Sequence, residues 1–169
     1  QWFVQFYVWV LRGTPILLQL YFFWIFLPRA TGIKIPDSTC IIIALIVNAS
    51  SYVSEIIRAG IQAVDIGQTE AARSLGMTAR NTMTKIILPQ AVKNILPALG
   101  NEFITMIKQA SLASVFFINE LTTSYKTVAS ATFRQVESII IAGIIYLLVT
   151  TILGQIMAYA EWRMKQNER

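Results

Sequence analysis

Two ionisable side chains, Glu55 and Lys108, lie inside strongly apolar stretches of the sequence. A charge within a lipid bilayer is costly unless it is paired or hydrated, so such groups are candidates for function. A carboxylate and an ammonium that face one path could receive the amino and carboxyl groups of a zwitterion. The alternative is structural, because Glu55 could pair with Lys108 or, at i, i+3, with Arg58. The sequence leaves both possibilities open.

Polar and small side chains accompany these two charges at helical spacing. Asn48, Ser51, Tyr52 and Glu55 recur at i, i+3, i+4 and i+7, which places them on one face of a helix. A second polar face surrounds Lys108. The two faces predict one substrate path, lined by Asn48, Ser51, Tyr52, Glu55, Asn101, Thr105, Lys108 and Ser111.

The elements that must position these residues are membrane helices. Of the 169 residues, 55% are apolar and 14% are charged, and the mean hydropathy is +0.57, too apolar for one soluble core. Four stretches are long enough to cross a hydrocarbon core of about 30 Å. The predicted spans are 2–27, 39–62, 94–117 and 137–160. Thr14 and Pro15 should restart a helix within the first, beside Arg12, which is either an interfacial anchor or part of coupling or gating.

A polar segment, 64–93, separates the second and third spans. Thr69 could cap a short helix whose first turn carries Glu70, and Gly76 could close that helix in a left-handed conformation. Thr78 is a second potential N-cap, and Pro89 should end the helix that follows. The segment therefore predicts two short helices that meet at a bend.

This polar segment resembles the "EAA" signature of the membrane subunits of ATP-binding-cassette importers. The resemblance is carried by Glu70-Ala71-Ala72, by Gly76, and by Ile86-x-Leu88-Pro89. It implies an all-α, polytopic membrane helical bundle of the type I importer permease kind, with a cytoplasmic coupling helix that docks in a groove of the ATP-hydrolysing subunit. The coupling residues that it implies are Glu70, Ala71, Ala72, Gly76, Leu88 and Pro89.

Three further stretches resemble the polar amino-acid branch of these importers. They are Arg12-Gly-Thr-Pro with Leu17-Leu-Gln-Leu20, the segment Tyr52 to Gly60, and the Lys-x-x-Ser-Leu-Ala element at Lys108. The resemblance implies a permease subunit for a polar amino acid or a similar small solute. The implied partners are an ATP-binding-cassette ATPase, a second permease subunit that is the same or homologous, an external solute-binding protein and the lipid bilayer. No cofactor is expected on this chain, because ATP and Mg would bind the ATPase.

Composition excludes several other functions. The sequence has no histidine and one cysteine, which excludes a histidine-based metal site, a Ser-His-Asp triad and an internal disulfide. No phosphate-binding Gly-x-x-x-x-Gly-Lys-Ser/Thr loop is present, so the chain is not expected to be an enzyme. Its basic residues are dispersed, which argues against nucleic acid. An ion-coupled secondary transporter or channel subunit remains the alternative, with Glu55 or Lys108 as the ion site.

Basic residues predict the orientation. Arg73, Arg80, Lys85 and Lys93, together with the basic C-terminal tail, place the coupling segment and the C-terminus in the cytoplasm of a bacterial cell whose inner membrane holds the chain. The connections 28–38 and 119–135 should then face outward. The sequence predicts one membrane domain over 1–169, incomplete at its N-terminus because it lacks an initiator methionine.

Overall fold

The computed structural model describes residues 2–166, and this part of the chain contains helices and no strands. The predicted all-α fold is therefore confirmed. In chain order the helices are α1 (Trp2–Gly13), α2 (Ile16–Thr31), α3 (Asp37–Gln62), α4 (Ile66–Ser74), α5 (Ala79–Thr82), α6 (Leu88–Gln109), α7 (Leu121–Thr132) and α8 (Gln135–Gln166). A π turn, Met83–Ile87, joins α5 to α6, and a 3-10 segment, Ala110–Phe116, follows α6.

The chain forms two compact units, each built from two separate segments. The first unit comprises the chain up to Tyr52 and the segment Ile104–Leu153. The second comprises Val53–Phe103 and the chain from Gly154 onward. The boundaries fall inside α3, α6 and α8, so each of these helices contributes residues to both units.

The first apolar stretch forms two helices, because the chain breaks between α1 and α2. The two helices are bent by 110° relative to each other. Proline suits the start of α2, where its missing N–H costs nothing, and the Thr14 hydroxyl donates to the Val10 carbonyl at 2.9 Å. The predicted restart at Thr14 and Pro15 is confirmed, and the range 2–27 is a broken element.

The end of α2 lies further along the chain than the sequence predicts. The helix continues through Pro28 to Thr31, so the turn that follows it is shorter than the predicted connection 28–38. Gly32 ends it with a φ of +66°, and its N–H donates to the Pro28 carbonyl at 3.1 Å. Proline is tolerated in membrane helices because other groups satisfy the backbone that it leaves unpaired.

Apolar side chains from α2, α3 and the 3-10 segment form the core of the first unit. Its buried members are Leu20, Ile41, Ala44, Ala113 and Phe116. The Phe116 ring lies 4.8 Å from the Tyr21 ring and 5.5 Å from the Trp24 ring, measured between centroids. This core packs the 3-10 segment against α2 and α3.

Glycines allow the helices of the second unit to approach closely. A Cβ on Gly60 would collide with the Ile95 side chain, and a Cβ on Gly100 would lie 2.6 Å from Sδ of Met157. Without a hydrophobic driving force between helices in lipid, such small residues are what permits tight packing. Here they bring α3, α6 and α8 together.

Pro89 does not end a helix, contrary to the sequence prediction. α5, the π turn and α6 follow one another without a break from Ala79 to Gln109. In the π turn the Leu88 N–H donates to the Met83 carbonyl five residues back. Pro89 follows directly after this π turn, where the regular i→i−4 bonding is already interrupted, so its missing N–H does not end the helix. α6 consequently begins at Leu88 and not near residue 94.

Among residues 2–166, two helices are long and apolar enough to cross a membrane: Asp37–Gln62 and Gln135–Met164. α1 and α2 qualify together if their bent pair counts as one broken span. α6 is not in this set, and its α-helical part ends at Gln109, inside the predicted span 94–117. The count of four spans stays a prediction.

The stretch 119–135, predicted as a polar connection, contains α7. Glu120 caps this helix, because its carboxylate accepts from the N–H groups of Thr122 and Thr123, both at 2.7 Å. Glutamate is not among the residues preferred at an N-cap, and serines and threonines are also common in turns, so the sequence did not indicate this helix.

Candidate functional site

The coupling segment begins with a cap that the sequence analysis missed. Asp65, and not Thr69, is the N-cap of α4, because its Oδ1 accepts from the Gly67 N–H at 2.6 Å. Thr69 therefore lies inside the helix. Aspartate competes well for this position, and its carboxylate also suits the positive end of the helix dipole.

The end of α4 matches the prediction in detail. Gly76 has a φ of +83°, a left-handed conformation that disfavours any residue with a Cβ. Its N–H donates to the Arg73 carbonyl at 3.0 Å, and the Met77 N–H donates to the Ala72 carbonyl at 3.1 Å. These two bonds are the paired pattern of a Schellman motif. The Arg73 guanidinium donates to the Met77 carbonyl and holds the turn further.

The exposed surface of α4 differs in one residue from the predicted docking surface. Glu70, Ala71 and Gly76 are exposed, whereas Ala72 is buried. Ala72 cannot offer a docking contact, since its side chain is already covered by the second unit. Leu75 takes that place on the surface with 85% of its side chain exposed. An apolar side chain at the end of a polar helix was the signal that could have identified it.

The bend after α4 leads directly into the helix that becomes α6. Thr78 caps α5 as predicted, with its hydroxyl accepting from the Asn81 N–H at 3.3 Å. α4 contacts both α5 and the π turn. Leu88 is half-buried and Pro89 is exposed. Of the six predicted coupling residues, these two therefore begin α6, beyond the bend.

A buried amide network connects α2 to α3, and the sequence analysis did not single out its central residue, Gln19. The Gln19 Nε2 donates to the Leu11 carbonyl at 2.7 Å and to the Thr14 hydroxyl at 2.8 Å. Its Oε1 accepts from the Asn48 amide at 2.8 Å, and the Ser51 hydroxyl donates to the Asn48 carbonyl at 2.7 Å. A lone glutamine among leucines was the available signal.

This network changes the role of two predicted path residues. Asn48 and Ser51 are buried, at 3% and 0% exposure, so their side chains are covered by the first unit. Buried polar groups with satisfied hydrogen bonds fix the register of the helices that carry them. Asn48 and Ser51 hold α3 in place, and the exposed part of the polar stripe starts at Tyr52.

Arg12 and Tyr52 form a second link between α1 and α3. The Arg12 guanidinium carbon lies 5.4 Å from the centroid of the Tyr52 ring, within the range of a cation–π interaction. Two residues before Tyr52 in α3, the Ser50 hydroxyl lies 2.6 Å from the Tyr7 hydroxyl. Arg12 therefore orients a residue of the predicted path, besides any anchoring at the membrane surface.

Glu55 pairs with Arg58, one of the alternatives that the sequence left open. The Arg58 Nε donates to Oε2 at 3.1 Å and its Nη2 donates to Oε1 at 2.5 Å. This two-point geometry is the strong form of an arginine–carboxylate pair. Both side chains keep partial exposure, at 27% for Glu55 and 62% for Arg58.

The remaining path residues lie on α6 and the 3-10 segment. Asn101 and Lys108 are exposed, whereas Thr105 and Ser111 are half-buried. The Ser111 hydroxyl donates to the Lys108 carbonyl at 2.6 Å, which marks the point where α6 tightens into the 3-10 segment. Lys108 thus presents an exposed cation in the last turn of α6.

Residues 1–166 match the family described as binding-protein-dependent transport system inner membrane component. The chain belongs to this family. It is a permease subunit of an ATP-binding-cassette importer, as the sequence predicted.

Several characterised proteins are similar to this chain over nearly its whole length. The arginine transport system permease protein of Bacillus subtilis (strain 168) is 41% identical over 99% of this chain and 76% of its own length. The nopaline transport system permease protein of Agrobacterium fabrum is 38% identical over 96% of this chain and 71% of its own length. The crystal structure of an amino acid ABC transporter with histidines contains a chain that is 47% identical to this one, with a TM-score of 0.89. The match covers 94% of this chain and 74% of that chain.

Replacing Gln19 by leucine should destabilise the protein by about 1–3 kcal/mol, because the Asn48 amide and the Leu11 carbonyl would lose a buried partner. The unfolding midpoint of the purified protein in detergent measures this change. Gln5→Leu is the matched control, because Gln5 is exposed on α1 and should shift stability by less than about 0.5 kcal/mol.

The double variant Gln19→Leu, Asn48→Leu isolates the hydrogen bond itself. Removing both partners should cost less than the sum of the two single variants, because neither polar group is then left unpaired. Strict additivity of the three measured changes would contradict the network.

Proposed function

We propose that this permease imports an amino acid and that ATP hydrolysis in a separate subunit drives the import. The observation that carries the proposal is the geometry of the coupling segment. The short helix α4 is capped at both ends, and a tight turn leads from it into α5, the π turn and α6, which continue without a break. The names of the relatives support the amino-acid substrate, since they include arginine and nopaline systems and a transporter crystallised with histidines.

The coupling mechanism follows from how α4 is held. Its exposed residues Glu70, Ala71 and Leu75 would contact a groove of the ATPase, and the Schellman turn at Gly76 fixes the direction of the chain that leaves it. A force on α4 would reach α5 and the π turn, which α4 contacts directly. Because α6 continues from the π turn, the same displacement would enter the long helix that carries Lys108.

The working complex that we propose contains two permease subunits, two ATPases and an external solute-binding protein. The family description supports the last of these, because it names transport that depends on a binding protein. The coupling segment and the C-terminus would face the cytoplasm, since the basic residues of 64–93 favour that side. ATP and Mg would bind the ATPase.

The substrate path would use the exposed part of the predicted residues. Tyr52, Thr105, Lys108 and Ser111 belong to the first unit, and Glu55 and Asn101 to the second. Buried Asn48 and Ser51 would act by positioning α3.

Uptake into vesicles tests the proposed energy source. Vesicles that contain the permease, its ATPase and its binding protein should accumulate a labelled amino acid when ATP is enclosed, and a protonophore should not prevent it. Uptake driven by an imposed proton gradient without ATP would instead establish the ion-coupled alternative.

Gly76→Leu should uncouple the complex, because it strains a backbone at φ +83° by about 1–2 kcal/mol and adds a bulky side chain to the docking surface. Gly32→Leu is the matched control, since Gly32 has a φ of +66° and equally open surroundings but lies far from 64–93 in sequence. Transport and substrate-stimulated ATP hydrolysis should fall at least tenfold only in the Gly76 variant. An equal loss of transport in both variants would show that backbone strain alone causes the effect, and it would contradict a role for Gly76 in docking.

Lys108→Met and Glu55→Gln separate transport from structure. Loss of the exposed Lys108 cation should raise the KM for uptake severalfold while basal ATP hydrolysis persists, because only substrate contact is removed. Glu55→Gln should lower stability by less than about 1 kcal/mol, since it breaks a partly exposed pair with Arg58. Unchanged uptake kinetics in Lys108→Met would remove that residue from the path.

A further inference from the structure

An open surface cavity of about 780 Å³ lies beside α7 in the first unit, and none of its lining residues belongs to the predicted path. The lining is part polar and part apolar. Its polar residues include Ser114, Thr123, Lys126, Thr127 and Ser130. Several amino acids would fit in this volume, so the lining chemistry and not the size selects an occupant.

Lys126 is the one charged residue of this lining. Its Nζ donates to the buried Ser114 hydroxyl at 3.2 Å, which holds the ammonium at the cavity wall. Within the described residues no carboxylate lies at ion-pair distance from it. The nearby Glu120 is already bound by the N–H groups of α7 and by the Tyr146 hydroxyl. The cavity thus offers a positive charge that is held by a hydroxyl and has no carboxylate partner among the described residues.

Phe117 forms an apolar part of the same lining, and its backbone is strained. Its φ of +56° falls in the left-handed region at the end of the 3-10 segment, where glycine is usual. Two backbone bonds close this turn, because the Phe117 N–H donates to the Ser114 carbonyl and the Ile118 N–H donates to the Ala113 carbonyl, both at 3.3 Å. Phe133 has a similar φ of +58° at the end of α7, so what Phe117 contributes to the cavity is its side chain, which is 89% exposed.

We propose that this cavity is an entry site for the amino-acid substrate, with Lys126 binding its carboxylate and Phe117 and Val115 contacting its apolar part. The inference rests on the proposed function. In the proposed orientation 64–93 faces the cytoplasm, and the connection 119–135, which contains α7, would face the external side of the membrane. A substrate released by the solute-binding protein would bind here before it reaches the path. The ligand class is therefore a free carboxylate with an apolar or amphipathic side chain.

Cysteine labelling tests the charge of the cavity directly. Ser130→Cys places a thiol in the lining, one helical turn beyond Lys126, while the native Cys40 is buried. In phosphatidylcholine vesicles this thiol should react about tenfold faster with an anionic than with a cationic methanethiosulfonate, corrected for their intrinsic rates. Lys126→Met should abolish the preference, Lys126→Arg should keep it, and the exposed control Arg134→Met should leave it unchanged.

Protection from the same reagent tests the ligand. The twenty standard L-amino acids are added one at a time, and at least one should slow the modification threefold or more. The corresponding amine without its carboxylate, such as agmatine for L-arginine, should not protect. Protection should be lost in Lys126→Met and restored in Lys126→Arg.

Three results would overturn the entry site: no amino acid protects, the decarboxylated amine protects equally, or protection survives in Lys126→Met. If the thiol is protected only when the vesicles contain anionic phosphatidylglycerol, the entry site is also wrong, and a lipid headgroup is the occupant of the cavity. ATP-driven uptake with any of these results leaves the proposed function standing. If protection meets every expectation but the protein shows no ATP-driven uptake, the cavity binds amino acids and the proposed function is wrong.

Discussion

The low polarity of the membrane interior is the constraint on which this structure depends. A polar group in that environment must find its partner within the protein. Among the described residues, no buried side-chain nitrogen or oxygen lacks a hydrogen bond. Gln19 shows how one residue meets the demand, because its amide satisfies the broken backbone between α1 and α2 and also holds Asn48 of α3. The 110° bend and the position of α3 are therefore fixed together.

The ends of the coupling helix are held by local bonds. Asp65, Gly76 and Thr78 each satisfy backbone groups within a few residues, so the limits of α4 and the direction of its bend are fixed locally, while burial of Ala72 packs the helix against its unit. A locally stable helix can bind and release a partner without unfolding its surroundings. The uninterrupted helix from Ala79 onward then supplies the stiffness that a mechanical connection between an ATPase and a membrane helix requires.

The sequence predicted the features that depend on neighbouring residues and missed those that depend on distant ones. The break at Pro15 and the turn at Gly76 follow from backbone preferences, and both were identified correctly. The Thr69 cap was wrong because a stronger local competitor, Asp65, stood four residues earlier. The burial of Ala72 and Asn48 depends on which helices lie opposite them, and the partner of Asn48 is 29 residues away. Helical periodicity assigns a residue to a face but does not identify what covers that face.

The π turn also determines the rotational phase of α6. An α-helix advances about 100° per residue, and a π turn accommodates roughly one residue more than an α turn does. The side chains beyond Ile87 are therefore rotated by close to a third of a revolution from where a regular continuation of α5 would have placed them. The angular position of Asn101, Thr105 and Lys108 around the helix axis is thus set by a single surplus residue more than ten positions upstream, and a one-residue deletion there would turn the whole polar face.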